Sequence, residues 1–239
     1  MQLNDEQMKA VTHPLGIPAC LIAGAGSGKT RVMTERVGWL IKQGISPRRI
    51  CAITFTNRAA KEILDRLNLD PTSHDIPHVS TIHSLALSAI RKSPTGFGLK
   101  DKVTPLDDYD QVQMVKKIIE RSTDPHAVEI NPYKLLEKIQ FHRARGIGFS
   151  VDYTEEVHEH AQVEHSGYHA LEPIEVKLWE KFEAEKRSTN TIDFDDMLCY
   201  FNRRCEQDPA WLGRLHKMFD VVLVDEAQDL STPQWGIVN

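Results

Sequence analysis

The segment Ala23-Gly24-Ala25-Gly26-Ser27-Gly28-Lys29-Thr30 decides the predicted fold. It matches the pattern GxxxxGK[ST], except that alanine stands at the first glycine position. An apolar run, residues 19–23, precedes it, and apolar residues at helical spacing follow it until Gly44. We therefore predict a buried strand, a phosphate-binding loop and a helix whose N-terminal end faces phosphate groups.

The residue types in this loop suit the binding of ATP and Mg²⁺. Glycines at three positions let backbone N–H groups curl round a phosphate. Lys29 can reach the β- and γ-phosphates, and the hydroxyl of Thr30 can ligate Mg²⁺. The alternative is a flexible glycine turn, which the strand and helix patterns on either side disfavour.

Two more apolar runs, residues 50–55 and 221–224, are continuous, as in buried parallel strands. The first is followed by a helical pattern with Ala60, Ile63 and Leu67 on one side. Strands that alternate with helices indicate an α/β fold of the P-loop NTPase type, with a parallel sheet flanked by helices. Its functional turns then gather at the carboxyl ends of the strands.

From about residue 90 to residue 218 the pattern predicts helices only. Helix starts are indicated by Asn131-Pro132, by Glu172-Pro173 and by Asp193 as an N-cap. We predict an all-helical subdomain inserted between two strands of one sheet. The predicted domain organisation is residues 1–89 for the first part of the ATP-binding domain, 90–218 for the insertion and 219–239 for the second part.

The run 221–224 leads directly into Asp225-Glu226-Ala227-Gln228-Asp229. A phosphate-loop NTPase holds Mg²⁺ through a carboxylate at the end of such a strand, which predicts Asp225 as a ligand beside Thr30. Glu226 can act as the general base for the attacking water. Lys29, Asp225 and Glu226 are therefore the predicted catalytic residues. An acidic strand end on its own is more often a helix cap or a turn.

Composition indicates a globular protein with 41 % apolar and 26 % charged residues and a net charge of −5. No run of 18 apolar residues and no signal-peptide pattern occurs, so we expect no membrane partner. Four cysteines without CxxC spacing indicate reduced thiols and a cytoplasmic location. Residues 31–66 carry a net charge of +5, so this segment could face an anion. The alternative is an ordinary solvated face.

Further segments stand in a recognisable order along the chain. They are Leu3-Asn4-Asp5-Glu6-Gln7, Thr54-Phe55-Thr56-Asn57-Arg58-Ala59-Ala60, Ser80-Thr81-Ile82-His83-Ser84 and Asp193-Phe194-Asp195-Asp196-Met197-Leu198. With the two motifs above, they closely resemble the N-terminal half of the UvrD/Rep-type superfamily 1 ATP-dependent DNA helicases, over residues 3–234. The resemblance implies a RecA-like ATP-binding domain with a helical insertion near duplex DNA.

The resemblance also implies roles for single residues. Gln7 resembles the glutamine that recognises the adenine edge, and Arg31 the arginine that packs on the adenine ring. The implied nucleotide-binding set is Gln7, Ala25, Gly26, Ser27, Gly28, Lys29, Thr30 and Arg31.

Contacts to single-stranded DNA and to junctions between single and double strands are implied in the same way. The implied set is Phe55, Thr56, Asn57, Arg58, Thr81 and His83. Phe55 would stack on a base, Thr56, Asn57 and Arg58 would contact the DNA backbone, and Thr81 and His83 resemble the next DNA-contacting motif. Without the resemblance, Phe55 is more often a core residue and His83 a partly buried histidine. The family also implies 3′ to 5′ movement.

Two departures from the family pattern bear on activity. Ala227 stands where the family commonly has an aromatic residue. The chain stops ten residues after Asp229, before the family's remaining motifs, including arginines that reach the γ-phosphate. Because arginine fingers contribute roughly 10³–10⁵ in rate, we expect these residues to bind ATP–Mg²⁺, hydrolyse it poorly and not unwind DNA. We also expect an exposed sheet edge after Val224.

Other functions stay open at this point. One is a naturally short nucleotide- or DNA-binding regulator without motor activity, and another is a small-molecule P-loop kinase. Helicase–nuclease relatives share these motifs, so a downstream nuclease domain is also open. Four clustered histidines, His158, His160, His165 and His169, are predicted to be surface residues and not metal ligands.

Overall fold

The computed structural model describes residues 3–24, 26–69, 75–145 and 170–238. They form two compact units. The sheet unit is Met1–Leu85 with Asp208–Leu230, and the helical unit is Ala86–Gln207 with Ser231–Asn239. The domain boundaries predicted after residues 89 and 218 stay predictions.

Ten α-helices and five strands are formed by the described residues. The helices are α1 (Asp5–Val11), α2 (Lys29–Lys42), α3 (Asn57–Leu67), α4 (Ile82–Lys92), α5 (Asp108–Glu120), α6 (Pro132–Arg143), α7 (Pro173–Thr189), α8 (Phe194–Gln207), α9 (Pro209–His216) and α10 (Thr232–Val238). The strands are β1 (Ile50–Ile53), β2 (His78–Ser80), β3 (Thr104–Pro105), β4 (Thr191–Ile192) and β5 (Val221–Val224). None of these helices is both long and apolar enough to cross a membrane.

The sheet unit contains a parallel three-stranded sheet in the order β2-β1-β5. Ile53 lies in register with Ser80 on one side and with Val224 on the other. Every residue of β1 is buried, as predicted for a central parallel strand. Helices α2 and α3 pack on it through a core of Met33, Val37, Leu40, Ile50, Ala52 and Ile63. The predicted α/β class is confirmed.

The predicted strand at residues 19–23 is wrong. These residues have no strand conformation, and Cys20 and Leu21 are exposed, with Ile22 92 % exposed. An apolar run becomes a strand only where a neighbouring strand supplies backbone hydrogen bonds. Among the described residues, β5 pairs only with β1, so β5 is an edge strand, as expected. Its residue Val222 is 46 % exposed.

The helical unit confirms the predicted helix starts. Asn131 Oδ1 accepts hydrogen bonds from the N–H groups of Tyr133 and Lys134, and Pro173 is the first residue of α7. Asp193 Oδ1 accepts from the N–H of Asp196 at 2.8 Å. Helices α5, α6 and α7 share an apolar core that contains the buried side chains of Val115, Leu135, Ile139, Trp179 and Phe182.

The sequence predicted only helices in this part of the chain, but the helical unit also contains two short strands. Strands β3 and β4 pair in parallel over two residues. The N–H of Leu106 donates to the carbonyl of Ile192 at 2.8 Å, which extends the pairing by one bond. Asn190, in the left-handed conformation with φ 54°, ends α7 and turns the chain into β4.

Candidate functional site

The phosphate loop has the backbone conformation that its glycines permit. Gly26 and Gly28 have φ angles of 74° and 88°, in the left-handed region that favours glycine. The hydroxyl of Ser27 donates to the carbonyl of Gly24 at 2.7 Å, closing the turn. A Cβ on Gly28 would lie 3.2 Å from Gln7 Nε2, so the loop leaves no free space at that glycine. Ala25 lies outside the described residues.

The three predicted catalytic residues and Thr30 lie together. Helix α2 begins at Lys29, and Lys29 Nζ lies 3.4 Å from Glu226 Oε1. The hydroxyl of Thr30 donates to Asp225 Oδ2 at 3.4 Å. The N–H of Asp225 donates to the carbonyl of Ile53 at 2.8 Å, so β1 fixes the backbone at the end of β5.

These residues fit a magnesium nucleotide. A hydroxyl and a carboxylate oxygen at 3.4 Å are the hard oxygen donors that Mg²⁺ takes, usually with water and phosphate oxygens completing its shell. The lysine and the N-terminal end of α2 supply positive charge beside them. The arrangement can therefore hold a phosphate chain and a divalent cation.

Glu226 is held in an unusual backbone conformation, with φ 49°. Gln228 Nε2 donates to Glu226 Oε2 at 2.6 Å and to Asp229 Oδ2 at 3.2 Å. The hydrogen bond from Gln228, followed by the charge of Lys29, lowers the pKa of the Glu226 carboxyl. The group is thus held in its ionised form, and the same contacts make it a weaker base. Sequence reasoning missed Gln228, although its place two residues after the base was the available signal.

Gln7 lies at the phosphate loop, and its implied role at the adenine edge stays a prediction. Its Nε2 donates to the carbonyl of Ser27 at 2.9 Å. Its Oε1 accepts from the N–H of Asn4 at 3.0 Å, and Asn4 Oδ1 accepts from the N–H of Gln7 at 2.8 Å. This reciprocal pair is a capping box at the start of α1, which the spacing Asn-x-x-Gln could have predicted. Arg31 is half-buried in the first turn of α2.

The residues implied to contact DNA follow the carboxyl end of β1. Phe55 is 60 % exposed, which contradicts the alternative that it is a core residue, and Arg58 is exposed. Thr56 Oγ1 accepts from the N–H of Ala59 at 3.1 Å and caps α3. Asn57 Oδ1 accepts from the hydroxyl of Ser84 at 3.3 Å, which connects this turn to the segment after β2.

The second implied DNA segment follows β2. Thr81 is buried, and its hydroxyl donates to Ser84 Oγ at 2.9 Å. His83 is half-buried, and burial lowers the pKa of its imidazole. Phe55 and Arg58 are thus exposed to solvent, whereas Thr81 supports the start of α4. Ser84, which joins the two segments, was not among the predicted site residues.

A buried group of carboxylates lies in the helical unit. Oxygens of Glu183, Asp193 and Asp196 lie within 4.8 Å of one another. Lys186 Nζ lies 2.6 Å from Asp193 and 2.8 Å from Asp196, and Arg143 pairs with Glu183 and Asp193 at 2.5 and 3.0 Å. Because these two cations already neutralise most of the negative charge, the group is an ion-pair network and not a metal centre. The four clustered histidines, His158, His160, His165 and His169, lie outside the described residues.

Comparison with known protein families agrees with this geometry. The family model described as the UvrD/REP helicase N-terminal domain matches residues 3–239. The chain belongs to this family. Membership in the UvrD/REP helicase family confirms the resemblance and the RecA-like fold class.

Curated relatives match almost the whole chain. A probable DNA helicase II homolog of Mycoplasma capricolum is 33 % identical over 99 % of this chain, which covers 32 % of that relative. The ATP-dependent DNA helicase PcrA of Leuconostoc citreum is 30 % identical over 99 % of the chain, covering 30 % of PcrA. The ATP-dependent DNA helicase Rep of Salmonella typhimurium is 30 % identical over the whole chain, covering 34 % of Rep. The chain thus spans about a third of the length of these UvrD/REP relatives.

Proposed function

We propose that this chain is the ATP-binding N-terminal portion of a DNA helicase or translocase. The whole protein couples ATP hydrolysis to 3′ to 5′ movement on single-stranded DNA and to duplex unwinding. The observation that carries this proposal is the joint placement of two sets of residues beside the carboxyl ends of the neighbouring strands β5 and β1. Lys29, Thr30, Asp225 and Glu226 form one set, and the exposed Phe55 belongs to the other.

Each residue of the first set has one chemical task. Lys29 exchanges its contact with Glu226 for the phosphates, and backbone N–H groups of the loop bind the remaining phosphate oxygens. Thr30 and Asp225 hold Mg²⁺, which offsets phosphate charge when bound. Glu226 orients the attacking water and accepts its proton.

Strand β1 connects the two sets. The carbonyl of Ile53, its last residue, accepts the N–H of Asp225 in the acidic segment. Phe55 stands two residues further on, and Thr54 between them donates its N–H to Ser80 at 3.0 Å. A small shift at the end of β5 therefore acts on the residue that stacks on a DNA base. This is a short route by which nucleotide binding changes the grip on single-stranded DNA.

Two alternatives are less well supported. Phe55 is 60 % exposed and Arg58 is exposed, which indicates an interaction surface. A small-molecule kinase does not require such a surface. A nucleotide- or DNA-binding regulator without motor activity needs no general base, whereas Glu226 lies beside Lys29.

Binding at junctions between single and double strands and a cytoplasmic location belong to the same proposal. The location is supported by the four cysteines, which are all free thiols.

The experiment that tests this function is fluorescence anisotropy with a labelled oligo(dT) and a labelled duplex. Because stacking contributes about 1–3 kcal/mol per base, Phe55→Ala is expected to weaken oligo(dT) binding about tenfold or more. Tyr109→Ala removes another exposed aromatic side chain, in the helical unit, and is expected to leave oligo(dT) affinity within about twofold. Equal affinity of wild type and Phe55→Ala, or no binding of oligo(dT), would contradict the proposal.

A further inference from the structure

We propose that Arg36 is a positioning residue for base selection, because it fastens helix α1 to helix α2 and so fixes the Gln7 amide at the phosphate loop. This inference rests on the proposed nucleotide site. It adds a residue that touches no nucleotide and that the motif spacing does not indicate.

Arg36 reaches from α2 to the C-terminal end of α1. Its Nη1 donates to the carbonyl of Val11 at 2.7 Å and to that of His13 at 2.5 Å. The carbonyls at the end of a helix carry partial negative charge and lack partners within the helix, so a guanidinium suits them. The Arg36 guanidinium also lies 4.8 Å from the centre of the Trp39 ring, which restricts its rotation.

Helix α1 needs such a restraint. It has seven residues, too few to be stable without tertiary contacts. Its N-terminal end is held by the bond from Gln7 to the carbonyl of Ser27, and its C-terminal end by Arg36 and the buried Val11. Loss of the bonds from Arg36 removes the restraint at the C-terminal end, so that α1 can tilt and carry the Gln7 amide with it.

The orientation of the Gln7 amide determines which base it accepts. Its oxygen is turned toward the N–H of Asn4 and its nitrogen toward the carbonyl of Ser27, so the amide cannot flip without losing both bonds. One N–H and one oxygen lone pair remain for a ligand. Adenine offers a 6-amino donor beside the N7 acceptor, whereas guanine offers two acceptors there. In this orientation the amide accepts adenine and opposes guanine.

Phosphate binding depends on different groups, namely the backbone N–H groups of the loop and the first turn of α2, whereas Gln7 contacts the loop through the carbonyl of Ser27. Displacement of α1 therefore reduces base selection and leaves the affinity for a phosphate chain unchanged. A purely structural role of Arg36 would instead weaken every ligand together. This difference separates the two interpretations.

The test uses isothermal titration calorimetry with three probes: ATP, GTP and inorganic tripolyphosphate, each with Mg²⁺. Arg36→Met keeps the length of the side chain and removes the donors, and Arg36→Lys keeps the charge and a donor. Arg48→Met is the matched control, because the side chain of Arg48 is 75 % exposed in the same unit. Thermal melting of each variant checks that it is folded.

For Arg36→Met we expect the ATP-over-GTP preference to fall about tenfold, the effect of losing one or two hydrogen bonds. Tripolyphosphate affinity should stay within about twofold of wild type, and Arg48→Met should match wild type with all three probes. Arg36→Lys should give an intermediate preference. If Arg36→Met does not fold, the test rests on Arg36→Lys. In that variant the ATP-over-GTP preference should fall, and amide hydrogen exchange in residues 8–11 should be faster than in wild type.

Two results would overturn the inference. One is an unchanged ATP-over-GTP preference in both Arg36 variants, and the other is an equal loss of affinity for ATP, GTP and tripolyphosphate. Failure of the proposed function looks different, because wild type would then show no Lys29-dependent binding of ATP. Wild type that binds ATP and GTP equally through Lys29 would leave the nucleotide site standing and overturn the role of Arg36.

Discussion

At the residue scale, the two oxygens of Glu226 have different neighbours. Lys29 lies 3.4 Å from Oε1, and Gln228 donates to Oε2 at 2.6 Å. Gln228 therefore fixes Oε2. Oε1 contacts Lys29, the residue that would bind the terminal phosphate in the proposed site. When the phosphate binds Lys29 in the proposed site, Oε1 would lose its contact with the lysine. This oxygen would then be free on the side where the attacking water is expected. In the proposed site, Glu226 would thus compete with the phosphate for Lys29 before binding and act as the base after it.

This competition predicts the effect of Glu226→Gln on binding. Because the neutral amide no longer attracts Lys29 or repels phosphate, the affinity for a non-hydrolysable ATP analogue with Mg²⁺ should rise roughly threefold, as expected for a partly exposed ion pair. Asp229→Asn is the control, since Asp229 is the other carboxylate to which Gln228 Nε2 donates. Calorimetry showing equal or weaker binding by Glu226→Gln would contradict this interpretation of the contact.

The site could be predicted from sequence only where residues lie in one motif. Lys29 and Thr30 follow from the loop pattern, and Asp225 from a carboxylate at the end of an apolar strand. Arg36 could not be predicted, because its partners are backbone carbonyls more than 20 residues away, which leave no pattern in the sequence. Gln228 was missed because its bond depends on the left-handed backbone at Glu226.

At the element scale, helix α2 lies between two glycines with positive φ. Gly28 precedes it with φ 88°, and Gly44 follows its C-terminal end with φ 90°. A Cβ on Gly28 would lie 3.2 Å from Gln7 Nε2, whereas none of the neighbouring atoms lies within 4 Å of a Cβ on Gly44. The two positions share the same backbone strain and differ in what surrounds them.

These glycines form a matched pair of variants. Gly28→Ala and Gly44→Ala should each lower the free energy of unfolding by about 1–2 kcal/mol, because alanine is disfavoured in the left-handed region. Gly28→Ala should also weaken ATP binding, since the new Cβ presses on the Gln7 amide and disfavours the backbone conformation of the loop. Urea denaturation and calorimetry measure the two effects. Normal ATP binding by Gly28→Ala, or its loss in Gly44→Ala as well, would show that the loop geometry is not the cause.

The elements themselves were predictable to different degrees. Apolar runs located β1 and β5, and caps such as Asn131 located helix starts, because these signals are local. Residues 19–23 have the same apolar character as β1 but no strand conformation, since strand formation depends on a neighbouring strand. The pairing of β3 with β4 covers only two residues, too few for any periodicity.

At the scale of the whole molecule, the helical unit encloses charge. Arg143 and Lys186 are almost fully buried with three carboxylates, and they connect α6, α7 and the start of α8. Removal of one member leaves an uncompensated buried charge, which is more costly than the intact network. The network therefore stabilises the helical unit only while all of its members are present.

Lys186→Met should lower the free energy of unfolding by about 3–5 kcal/mol, because the carboxylates of Asp193 and Asp196 lose a buried cation. Lys177→Met is the matched control, since Lys177 is on the same helix with its side chain 64 % exposed. Urea denaturation followed by circular dichroism compares the two. Equal stability of the two variants would mean that the network contributes nothing to folding.

A pH dependence follows from Asp195 in the same region. Burial raises the pKa of Asp195 to about 6, against a smaller opposing effect of Arg143. The folded chain then keeps a proton that the unfolded chain has lost, so this group makes stability fall as pH rises from about 4 to 6. Asp195→Asn should reduce that slope in urea denaturation between pH 4.5 and pH 7. An unchanged slope would contradict the assigned pKa.

The most direct test of the central claim is calorimetric binding of a non-hydrolysable ATP analogue with Mg²⁺, with and without saturating oligo(dT). Lys29→Ala serves as the comparison. We expect wild type to bind the analogue, with an affinity that falls at least about tenfold in Lys29→Ala and changes about fivefold or more with oligo(dT), as linked sites require. Binding that is independent of Lys29, or identical with and without oligo(dT), would contradict a nucleotide site connected through β1 to a DNA site.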